Sequence, residues 1–510
     1  MEGLDYDVVV VGAGLAGLRT TQLLVQQGLS VLCLEANNCV GGRTRSAVRE
    51  GYRWDVGGQW LGPTQTRMLN LCSQLGLATF PQYTEGKKWV DVLGKKKTYT
   101  GTIPPLTIAS LIDIQLGIWK IDALAKTVPK GRPQDCPNAR EWDNMTVETW
   151  KHQNLWTDGA KAMWDIGVRA VYSSDPAELS FLFFLHYIHC AGGYMVLLDT
   201  ENGAQETRIR GSAHGVALKL AEQLGEQVRL ASPVTSIHQT ASNAAVTIQD
   251  GSSYTCHRVI ITVPPLLTNR IEFEPALPTR RRHLAQRMPM GQVIKCLVFY
   301  DRPFWRDSGF AGEVVTDGEG VSISFDASLP DIEQYALVAF FDGNPARQWS
   351  EKTKEERRAE VVRTFVNYFG DEAAHPIDYL EQDWCSEPWV LGGYTGLMGP
   401  GVLTTCGETL TAPFGRIHWA GTETATSWPG YMEGAVQSAE RVTDEVLSAL
   451  AGNVIEYPPP ATLTPPPRGS GFPIGKTALA LAGVSLCVGV MWAWDNKFTV
   501  VKNVVAFFVV

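Results

Sequence analysis

Residues 7–17 read DVVVVGAGLAG. The run of valines is typical of a parallel strand that is buried on both faces. A glycine-rich turn follows it directly, and the pattern then predicts a helix over residues 15–27 and a second strand over residues 30–35. Two further buried-strand patterns lie far downstream, at residues 258–263 and 415–420. The sequence therefore predicts an α/β fold in which one sheet takes strands from distant parts of the chain.

The glycine-rich turn has the G-x-G-x-x-G spacing of a dinucleotide-binding site. In such a site Gly12 permits the turn, Gly14 lets the backbone approach a pyrophosphate, and Gly17 allows the helix to pack closely on the strand. The helix N-terminus adds unpaired N–H groups and a partial positive charge. Glu35, at the end of the second strand, is placed to accept hydrogen bonds from both hydroxyls of a ribose. The sequence therefore predicts a bound dinucleotide.

Length and composition exclude several classes of protein. The 510 residues suffice for two or three domains, and 45 % hydrophobic against 19 % charged residues exclude global disorder. The formal net charge of -9 has the wrong sign for a protein that binds nucleic acid. The 10 cysteines form no C-x-x-C pair and the 9 histidines form no H-E-x-x-H pattern, so we predict neither a metal site nor a disulfide framework.

The carboxyl end predicts a membrane anchor. Residues 477–494 carry no charge and are just long enough to span a hydrocarbon core. A proline-rich stretch over residues 457–467 precedes them and is typical of an extended spacer. A buried core helix is the alternative interpretation. Because the amino end carries no secretory signal and the tail beyond the run is short, we expect a tail anchor with the amino-terminal part on the cytosolic side.

Two glycine pairs further along the chain narrow the identity of the dinucleotide. With their neighbours they read Gly41-Gly42-Arg43 and Gly57-Gly58-Gln59-Trp60. Together they resemble the extended flavin-binding pattern of the amine oxidase family, in which the second pair passes close to the isoalloxazine ring. This resemblance implies FAD rather than NAD.

Five more segments resemble the flavin monoamine oxidases of animals, namely residues 62–65, 141–146, 293–296, 420–426 and 428–436. The resemblance covers about residues 5–450. It implies a Rossmann-like FAD-binding domain interleaved with an α+β substrate domain and followed by a C-terminal transmembrane helix. The implied boundaries are residues 1–80, 211–290 and 396–455 for the FAD-binding parts, 81–210 and 291–395 for the substrate domain, 456–475 for the proline-rich linker and 476–510 for the anchor.

The resemblance also implies a reaction. A flavin amine oxidase removes a hydrogen from the carbon next to an amine nitrogen, water hydrolyses the resulting imine to an aldehyde, and dioxygen becomes hydrogen peroxide. The expected substrates are primary aromatic and alkyl amines, with secondary and tertiary amines left open. A polyamine oxidase or L-amino-acid oxidase of the same superfamily is one alternative, and a non-catalytic, FAD-stabilised membrane scaffold is another. The implied location is the mitochondrial outer membrane, and the sequence leaves a homodimer open.

Lys295 and two tyrosines are the implied catalytic residues. Lys295 lies in an apolar run, where a cation is costly to bury without a function, although a lysine at a strand edge can also reach the surface. The resemblance implies that its amine holds a water against flavin N5. It also implies that the rings of Tyr394 and Tyr431 flank the substrate amine and that Gln205 orients the substrate beside them.

The implied cofactor contacts extend along the whole chain. They are Gly12, Gly14, Ala16, Gly17, Glu35, Gly42, Arg43, Gly57, Gly58, Gln59, Trp60, Val234, Trp384, Gly421, Thr422 and Met432. Among them, Arg43 is expected at the pyrophosphate, Val234 at the adenine and Met432 at the ring.

The chain departs from the family at the point where the animal enzymes join a cysteine to the flavin. Those enzymes read Ser-Gly-Gly-Cys-Tyr, whereas residues 391–396 here read LGGYTG. Cys385 and Cys406 flank this segment, but neither occupies the linkage position. We therefore expect FAD to be held by non-covalent contacts alone.

Three aliphatic positions bear on substrate selectivity. Leu198 and Ile323 align with the gate between the family's entrance and substrate cavities, and Ala170 aligns with a larger residue in some relatives. Aliphatic side chains at these positions predict a wider single cavity that accepts bulky aryl amines.

Overall fold

The structure is a computed structural model that describes residues 3–330 and 332–453. Its strands are β1 (Tyr6–Val11), β2 (Val31–Leu34), β3 (Ser46–Arg49), β4 (Tyr52–Asp55), β5 (Trp60–Leu61), β6 (Thr79–Pro81), β7 (Lys87–Val92), β8 (Lys95–Tyr99), β9 (Thr207–Ile209), β10 (Val228–Arg229), β11 (Val234–Gln239), β12 (Ala244–Ile248), β13 (Ser253–Ile261), β14 (Glu272–Glu274), β15 (Val293–Tyr300), β16 (Phe310–Thr316), β17 (Ile323–Asp326), β18 (Tyr335–Asp342), β19 (Asp378–Asp383) and β20 (Ile417–Trp419). Its α-helices are α1 (Leu15–Gln26), α2 (Thr66–Gln74), α3 (Ile108–Ala125), α4 (Ala139–Asp143), α5 (Val147–Asn154), α6 (Asp158–Tyr172), α7 (Phe181–Ala191), α8 (Tyr194–Leu198), α9 (His214–Leu224), α10 (Thr279–Gln286), α11 (Phe304–Asp307), α12 (Asn344–Ser350), α13 (Lys354–Phe369), α14 (Val402–Cys406) and α15 (Met432–Leu450).

The larger sheet carries the glycine-rich turn. Its strands run in the order β10-β2-β1-β13-β12-β11-β14, and β20 pairs with β13. β1 lies parallel to both β2 and β13, and Val8, Val9 and Val10 on it are fully buried. The elements predicted from the sequence are observed as β1, α1, β2, the end of β13 and β20, so distant segments do form one sheet. A strand that is apolar on both faces needs cover on both faces, which the rest of the chain supplies.

Each face of the larger sheet has its own apolar core. On one face α1, α9 and α15 bring Leu18, Leu220 and Val436 against Val8 and Val10. On the other face β1, β2, β13 and β20 share a core with β11 and β12. Because the turn lies at the end of β1, both cores hold it in position.

The second sheet provides another part of the site. Its strands run in the order β19-β15-β18-β17-β16-β7-β8, and β15 lies antiparallel between β18 and β19. All residues of β15 are buried, and α13 covers one face of the sheet. Side chains alternate along a strand, so Lys295 projects from the opposite face, together with Val293 and Leu297.

Besides the two large sheets, the fold has a small three-stranded sheet and a helical region. Strands β5, β9 and β6 form a three-stranded sheet that joins the segment after the second glycine pair to residues 207–209. Helices α3 to α8 pack around buried aromatic side chains, among them Trp150, Trp164 and Phe184. This helical region carries two of the three residues predicted at the gate, Leu198 and Ala170, while Ile323 begins β17.

The predicted linker over residues 456–475 and the predicted anchor over residues 476–510 lie outside the described residues. Within the described ranges, no helix combines the length and the apolar character needed to cross a membrane. The cysteines of these same ranges are all free. The predicted domain boundaries stay a prediction.

Candidate functional site

The glycine-rich turn lies between the end of β1 and the start of α1. A Cβ placed on Gly17 would come within 1.9 Å of the Gly12 carbonyl oxygen, so a larger residue requires a backbone shift. At Gly14 the same atom would meet no heavy atom within 4 Å, and on Gly42 it would meet only the Gly14 Cα, at 3.4 Å. Ala16 is buried behind the turn. Gly14 therefore borders open space at the N-terminus of α1, where a phosphate can approach.

Glu35 closes the turn from the end of β2. Its Oε2 accepts the Ala13 N–H at 2.6 Å, and its Oε1 accepts the Asn37 N–H at 2.9 Å. Burial raises the pKa of this carboxyl against the opposing effect of these hydrogen bonds. The Glu35 carbonyl accepts the Ser232 N–H at 2.7 Å, which brings Val234 at the start of β11 beside the end of β2.

Arg43 connects the turn to the segment that carries Tyr394. Its guanidinium pairs with the buried Glu423 carboxylate at 2.5 and 3.1 Å and also donates to the Tyr394 carbonyl at 3.0 Å. Burial alone would raise the pKa of Glu423, but Arg43 and backbone donors, including the Gly396 N–H, hold it below its ordinary value. Glu423 carries no sequence signal beyond its place in the motif at residues 420–426.

The second glycine pair is fixed against the segment of Arg43. The Gly57 and Gly58 N–H groups donate to the carbonyls of Arg45 and Arg43 at 3.0 and 3.1 Å. A Cβ on Gly57 would lie 2.3 Å from the Arg43 carbonyl oxygen and 3.1 Å from the Trp384 ring, whereas one on Gly58 would meet nothing closer than 3.8 Å. Gly57 is thus enclosed, and Gly58 borders a more open space.

Lys295 lies on the central strand β15 and is 2 % exposed. Its Nζ donates to the Gly57 carbonyl at 2.9 Å and to Gln59 Oε1 at 2.5 Å. The centres of the Trp60 and Phe340 rings lie 5.7 and 5.8 Å from Nζ. The alternative interpretation, a lysine that reaches the surface from a strand edge, is therefore wrong, because β15 has a neighbour on each side.

Asp55 and Arg208 act on Lys295 electrostatically from β4 and β9. Burial lowers the pKa of Lys295 to about 7, opposed by Asp55 and reinforced by Arg208. Burial also raises the pKa of Asp55 to about 6, while its carboxylate accepts the Ala213 N–H at 3.0 Å. The only sequence signal for Asp55 was its place before the second glycine pair. Arg208 had no sequence signal, because its burial depends on the pairing of β9 with β5 and β6.

Three glutamines leave amide atoms buried without a hydrogen-bond partner among residues 3–330 and 332–453. These atoms are Nε2 of Gln59, both polar atoms of Gln65, and Oε1 of Gln205. Gln205 uses its other end to donate to the Leu197 carbonyl at 3.1 Å. An unsatisfied buried amide costs roughly 1–3 kcal/mol, so these atoms fit a site that a polar ligand completes. Gln65 is fully buried, and the motif at residues 62–65 was its only sequence signal.

The two predicted tyrosines come from different parts of the chain. Tyr431 precedes α15 and contacts the rings of Trp428 and Tyr187, with ring centres 4.9 and 6.2 Å apart. Tyr394 borders the core on the Lys295 face of the second sheet. Burial raises the pKa of both hydroxyls, with Asp342 and Tyr431 adding to the rise at Tyr394, so both stay protonated at neutral pH. Tyr187, on the aromatic helix α7, was not predicted and carries no motif.

The segment after β20 fixes the start of α15. The Gly421 N–H donates to Ser438 Oγ at 3.1 Å, and Thr422 Oγ1 donates to the Tyr431 carbonyl at 2.8 Å. Met432 is the first residue of α15 and packs with the core of the larger sheet. The position of Tyr431 is thereby tied to the sheet that carries the turn.

Each of the predicted gate residues lies on α6 or near it. Leu198 ends α8, and a Cβ on Gly167 of α6 would lie 3.6 Å from its δ carbons. Ile323 begins β17, packs in a cluster with Ile166 of the same helix, and pairs in register with the β18 residue that pairs with Lys295. Ala170 is half-buried on α6.

The two cysteines that flank the Tyr394 segment lie outside it and contact other parts of the chain. Cys385 Sγ lies 3.8 Å from the Val293 carbonyl oxygen. Cys406 ends α14 and is buried in the core of the helical region. Residues 391–396 themselves contain no thiol.

Known proteins are similar to this sequence along most of its length. Residues 15–447 match the family described as flavin containing amine oxidoreductase. The chain belongs to this family. A probable flavin-containing monoamine oxidase A of Dictyostelium discoideum is 40 % identical over 447 residues, which are 87 % of this chain and 98 % of that protein. A flavin-containing amine oxidase A of Bos taurus is 36 % identical over 517 residues, which are 98 % of each.

Solved structures of amine oxidases share the fold. Cyclohexylamine oxidase from Brevibacterium oxydans IH-35A matches with a TM-score of 0.83 and 31 % identity, covering 88 % of this chain and 100 % of that one. Wild-type putrescine oxidase bound to putrescine matches with a TM-score of 0.83 and 31 % identity. The match covers 87 % of this chain and 99 % of that one. The predicted α/β flavin amine oxidase fold is confirmed, and so is the resemblance to the flavin monoamine oxidases.

This flavin-containing amine oxidase deaminates amines oxidatively and has a flavin cofactor. The residues present fit FAD. The turn at Gly14 is open, Glu35 lies at its edge, and the unpartnered amides of Gln59 and Gln65 can donate to or accept from the polar edge of a flavin ring.

Proposed function

We propose that this amine oxidase uses FAD to convert primary aromatic and alkyl amines into aldehydes while dioxygen is reduced to hydrogen peroxide. The buried amine of Lys295 carries the proposal. Within the described part of the chain its hydrogen bonds go to a carbonyl and an amide rather than to a carboxylate. An amine buried in this way is costly for the fold, which favours a role in the chemistry.

Each of the proposed residues has a separate role. Bound FAD supplies the acceptor for the hydrogen and the two electrons. Tyr394 and Tyr431 offer electron-rich rings to the C–N group of the substrate, and because their hydroxyls stay protonated they add no counter-charge that would favour the unreactive ammonium. The unpartnered Oε1 of Gln205 accepts a hydrogen bond from the amine. Lys295 donates toward the flavin side of the site.

The gate supports bulky aryl amines as substrates. Leu198, Ile323 and Ala170 are aliphatic, so the path between entrance and site lacks both a bulky aromatic barrier and a charged group at these three positions. A polyamine oxidase needs acidic residues along the path, and an L-amino-acid oxidase needs an arginine for the substrate carboxylate. The gate positions supply neither group.

The test is an absorbance spectrum of detergent-purified protein, followed by anaerobic addition of benzylamine, spermidine or L-phenylalanine. We expect the flavin band to bleach with benzylamine. Bleaching by spermidine alone or by L-phenylalanine alone would assign the corresponding oxidase instead. A yellow protein that no amine bleaches would support the non-catalytic scaffold.

We propose further that FAD is bound without a covalent link, supported by the absence of a thiol from residues 391–396. Many weak contacts along so large a ligand can reach nanomolar affinity, which corresponds to about -12 kcal/mol. Precipitation with trichloroacetic acid should release the yellow colour and leave a polypeptide of unmodified mass. An FAD mass increment on a peptide with Cys385 or Cys406 would overturn this proposal.

Residues 476–510 are proposed as a tail anchor in the mitochondrial outer membrane, with the catalytic part facing the cytosol. The uncharged run of residues 477–494 supports this, because each buried CH₂ contributes about 0.8 kcal/mol. A chain truncated after Tyr457 should be soluble and yellow. If the truncated protein stayed in the membrane pellet, another apolar surface would have to be the anchor.

A further inference from the structure

Gln59 hydrogen-bonds Lys295 and leaves a donor of its own unused. Its Oε1 accepts from the Lys295 amine at 2.5 Å, and the residue is 1 % exposed. Its Nε2 has no hydrogen-bond partner among the described residues. Because both atoms belong to one planar amide, the unused N–H lies beside the Lys295 amine rather than on a remote part of the side chain.

The loop that carries Gln59 is fixed on both sides. The two glycines before it donate their N–H groups to the carbonyls of Arg45 and Arg43. After it, Trp60 begins β5 and donates its ring N–H to Gln82 at 2.8 Å. The contact between Gln59 and Lys295 therefore joins two segments that are each held by their own sheet or loop.

We propose that Gln59 is a positioning residue for Lys295, which it holds through Oε1 while its Nε2–H acts as a second donor to the group bound in front of the pair. This inference rests on the proposed function, in which that group is FAD. Negative charge develops there when dioxygen takes up two electrons from the reduced flavin and two protons to become hydrogen peroxide. Two fixed donors stabilise such charge better than one mobile amine does.

The charged neighbours determine how Gln59 affects the ionisation of Lys295. Asp55 on β4 favours the ammonium and Arg208 on β9 disfavours it, while the residues paired with Lys295 on β18 and β19 are uncharged. Burial is the main cause that lowers the pKa of Lys295, to about 7, with Arg208 adding to the fall and Asp55 opposing it. A hydrogen bond from the ammonium to Gln59 Oε1 favours the charged form. Loss of this acceptor should lower the pKa further, and a carboxylate in its place should raise it.

The experiment is a pH titration of the flavin absorbance of the oxidised holoenzyme between pH 5.5 and 9. The wild type should show a transition that Lys295→Met lacks. Gln59→Leu should move the midpoint down by about one pH unit and Gln59→Glu should move it up by a similar amount, since a hydrogen bond to a charged group is worth roughly that much. Gln249→Leu, the same change at an exposed glutamine, should leave the midpoint unchanged.

A second measurement separates positioning from simple packing. After anaerobic reduction, Gln59→Leu should be reoxidised by dioxygen about tenfold more slowly, a change of about 1.4 kcal/mol in the barrier, with the rate of reduction by benzylamine within about twofold of the wild type.

Several results would overturn the proposal. They are a wild type without a transition, variants that share the wild-type midpoint or shift it in the same direction, and loss of FAD from both Gln59 variants. The titration needs bound FAD but no amine, so its outcome is independent of the proposed substrate class.

Discussion

The two sides of the site differ in how far apart their residues lie in the sequence and in how completely their polar atoms are paired. On the turn side, Glu35 accepts the N–H groups of Ala13 and Asn37, and all three lie in or beside one β-α-β unit. On the lysine side, Lys295 meets Gln59 across 236 positions, and the Gln59 amide keeps an unpartnered donor. The Glu35 carboxylate thus finds its partners within the protein, whereas the Gln59 amide is complete only with a ligand.

The difference indicates that the stability of the fold and the chemistry of the site depend on separate contacts. Contacts between the strand and the helix of a β-α-β unit hold the sheet together, so a substitution that disrupts them destabilises the fold. Unpartnered buried groups lower stability until a ligand binds, so a change among them alters binding or rate more than folding. Four substitutions test this separation.

The largest effect is expected from Gly17→Ala. The new Cβ would lie 1.9 Å from the Gly12 carbonyl oxygen, so β1 and α1 must move apart. Overpacking of this kind costs roughly 1–3 kcal/mol or more, and we expect a thermal midpoint lower by about 1–3 °C or more, with little FAD retained. Circular dichroism during heating and the flavin-to-protein absorbance ratio measure both.

Gly14→Ala is the matched control for Gly17→Ala. Gly14 has φ of -71°, and a Cβ there meets no protein atom within 4 Å. The apoprotein should keep the wild-type thermal midpoint while FAD binds at least about tenfold more weakly, because the methyl group projects toward the cofactor. Equal losses of apoprotein stability in the two variants would contradict the distinction between a packed and an open glycine.

A smaller structural effect but a clear kinetic one is expected from Lys295→Met. The change removes a buried amine and keeps a side chain of similar length, so FAD should stay bound. Removal of the buried amine is offset by leaving the Gly57 carbonyl and Gln59 Oε1 without their donor, so the thermal midpoint should change little. We expect flavin reduction or reoxidation to slow by about tenfold or more, as measured by stopped-flow absorbance. Wild-type rates in both half-reactions would remove Lys295 from the mechanism.

The smallest effect is expected from Asp55→Asn. Asp55 favours the charged form of Lys295, so its loss should lower the pKa of Lys295 below about 7. The pH profile of the step controlled by Lys295 should therefore move to lower pH, by less than about one unit. The asparagine Oδ1 can still accept the Ala213 N–H. Asp250→Asn at the surface is the control, and an upward shift in Asp55→Asn would show that the assigned coupling is wrong.

The turn side could be predicted because its contacts follow from short spacings. The strand, helix and second strand were expected within one residue of their observed ends, and Gly12, Gly14 and Gly17 lie in or beside that unit. The apolar run around Lys295 suggested a functional amine, but its alternative could be rejected only once β15 was seen between β18 and β19.

Other members of the site gave little or no sequence signal. Glu423 and Gln65 were inside motifs but indistinguishable from their neighbours. Arg208 and Tyr187 lie in segments without a motif, and both are buried by elements that are remote in the chain. Whether a charge is buried or an amide lacks a partner depends on the residues that surround it in the fold, and no local sequence pattern shows this.

The α/β fold and the dinucleotide turn could be predicted from the sequence, because periodicity and motif spacing are properties of contiguous residues. The flavin amine oxidase family was indicated by resemblance to known members. Only the tertiary structure decided that Arg43 pairs with Glu423, that Lys295 is buried on a central strand with Gln59 as its acceptor, and that Asp55 acts on its charge. Desolvation and hydrogen-bond pairing between residues hundreds of positions apart arise only when the sheets assemble, and these two effects set the ionisation of the site.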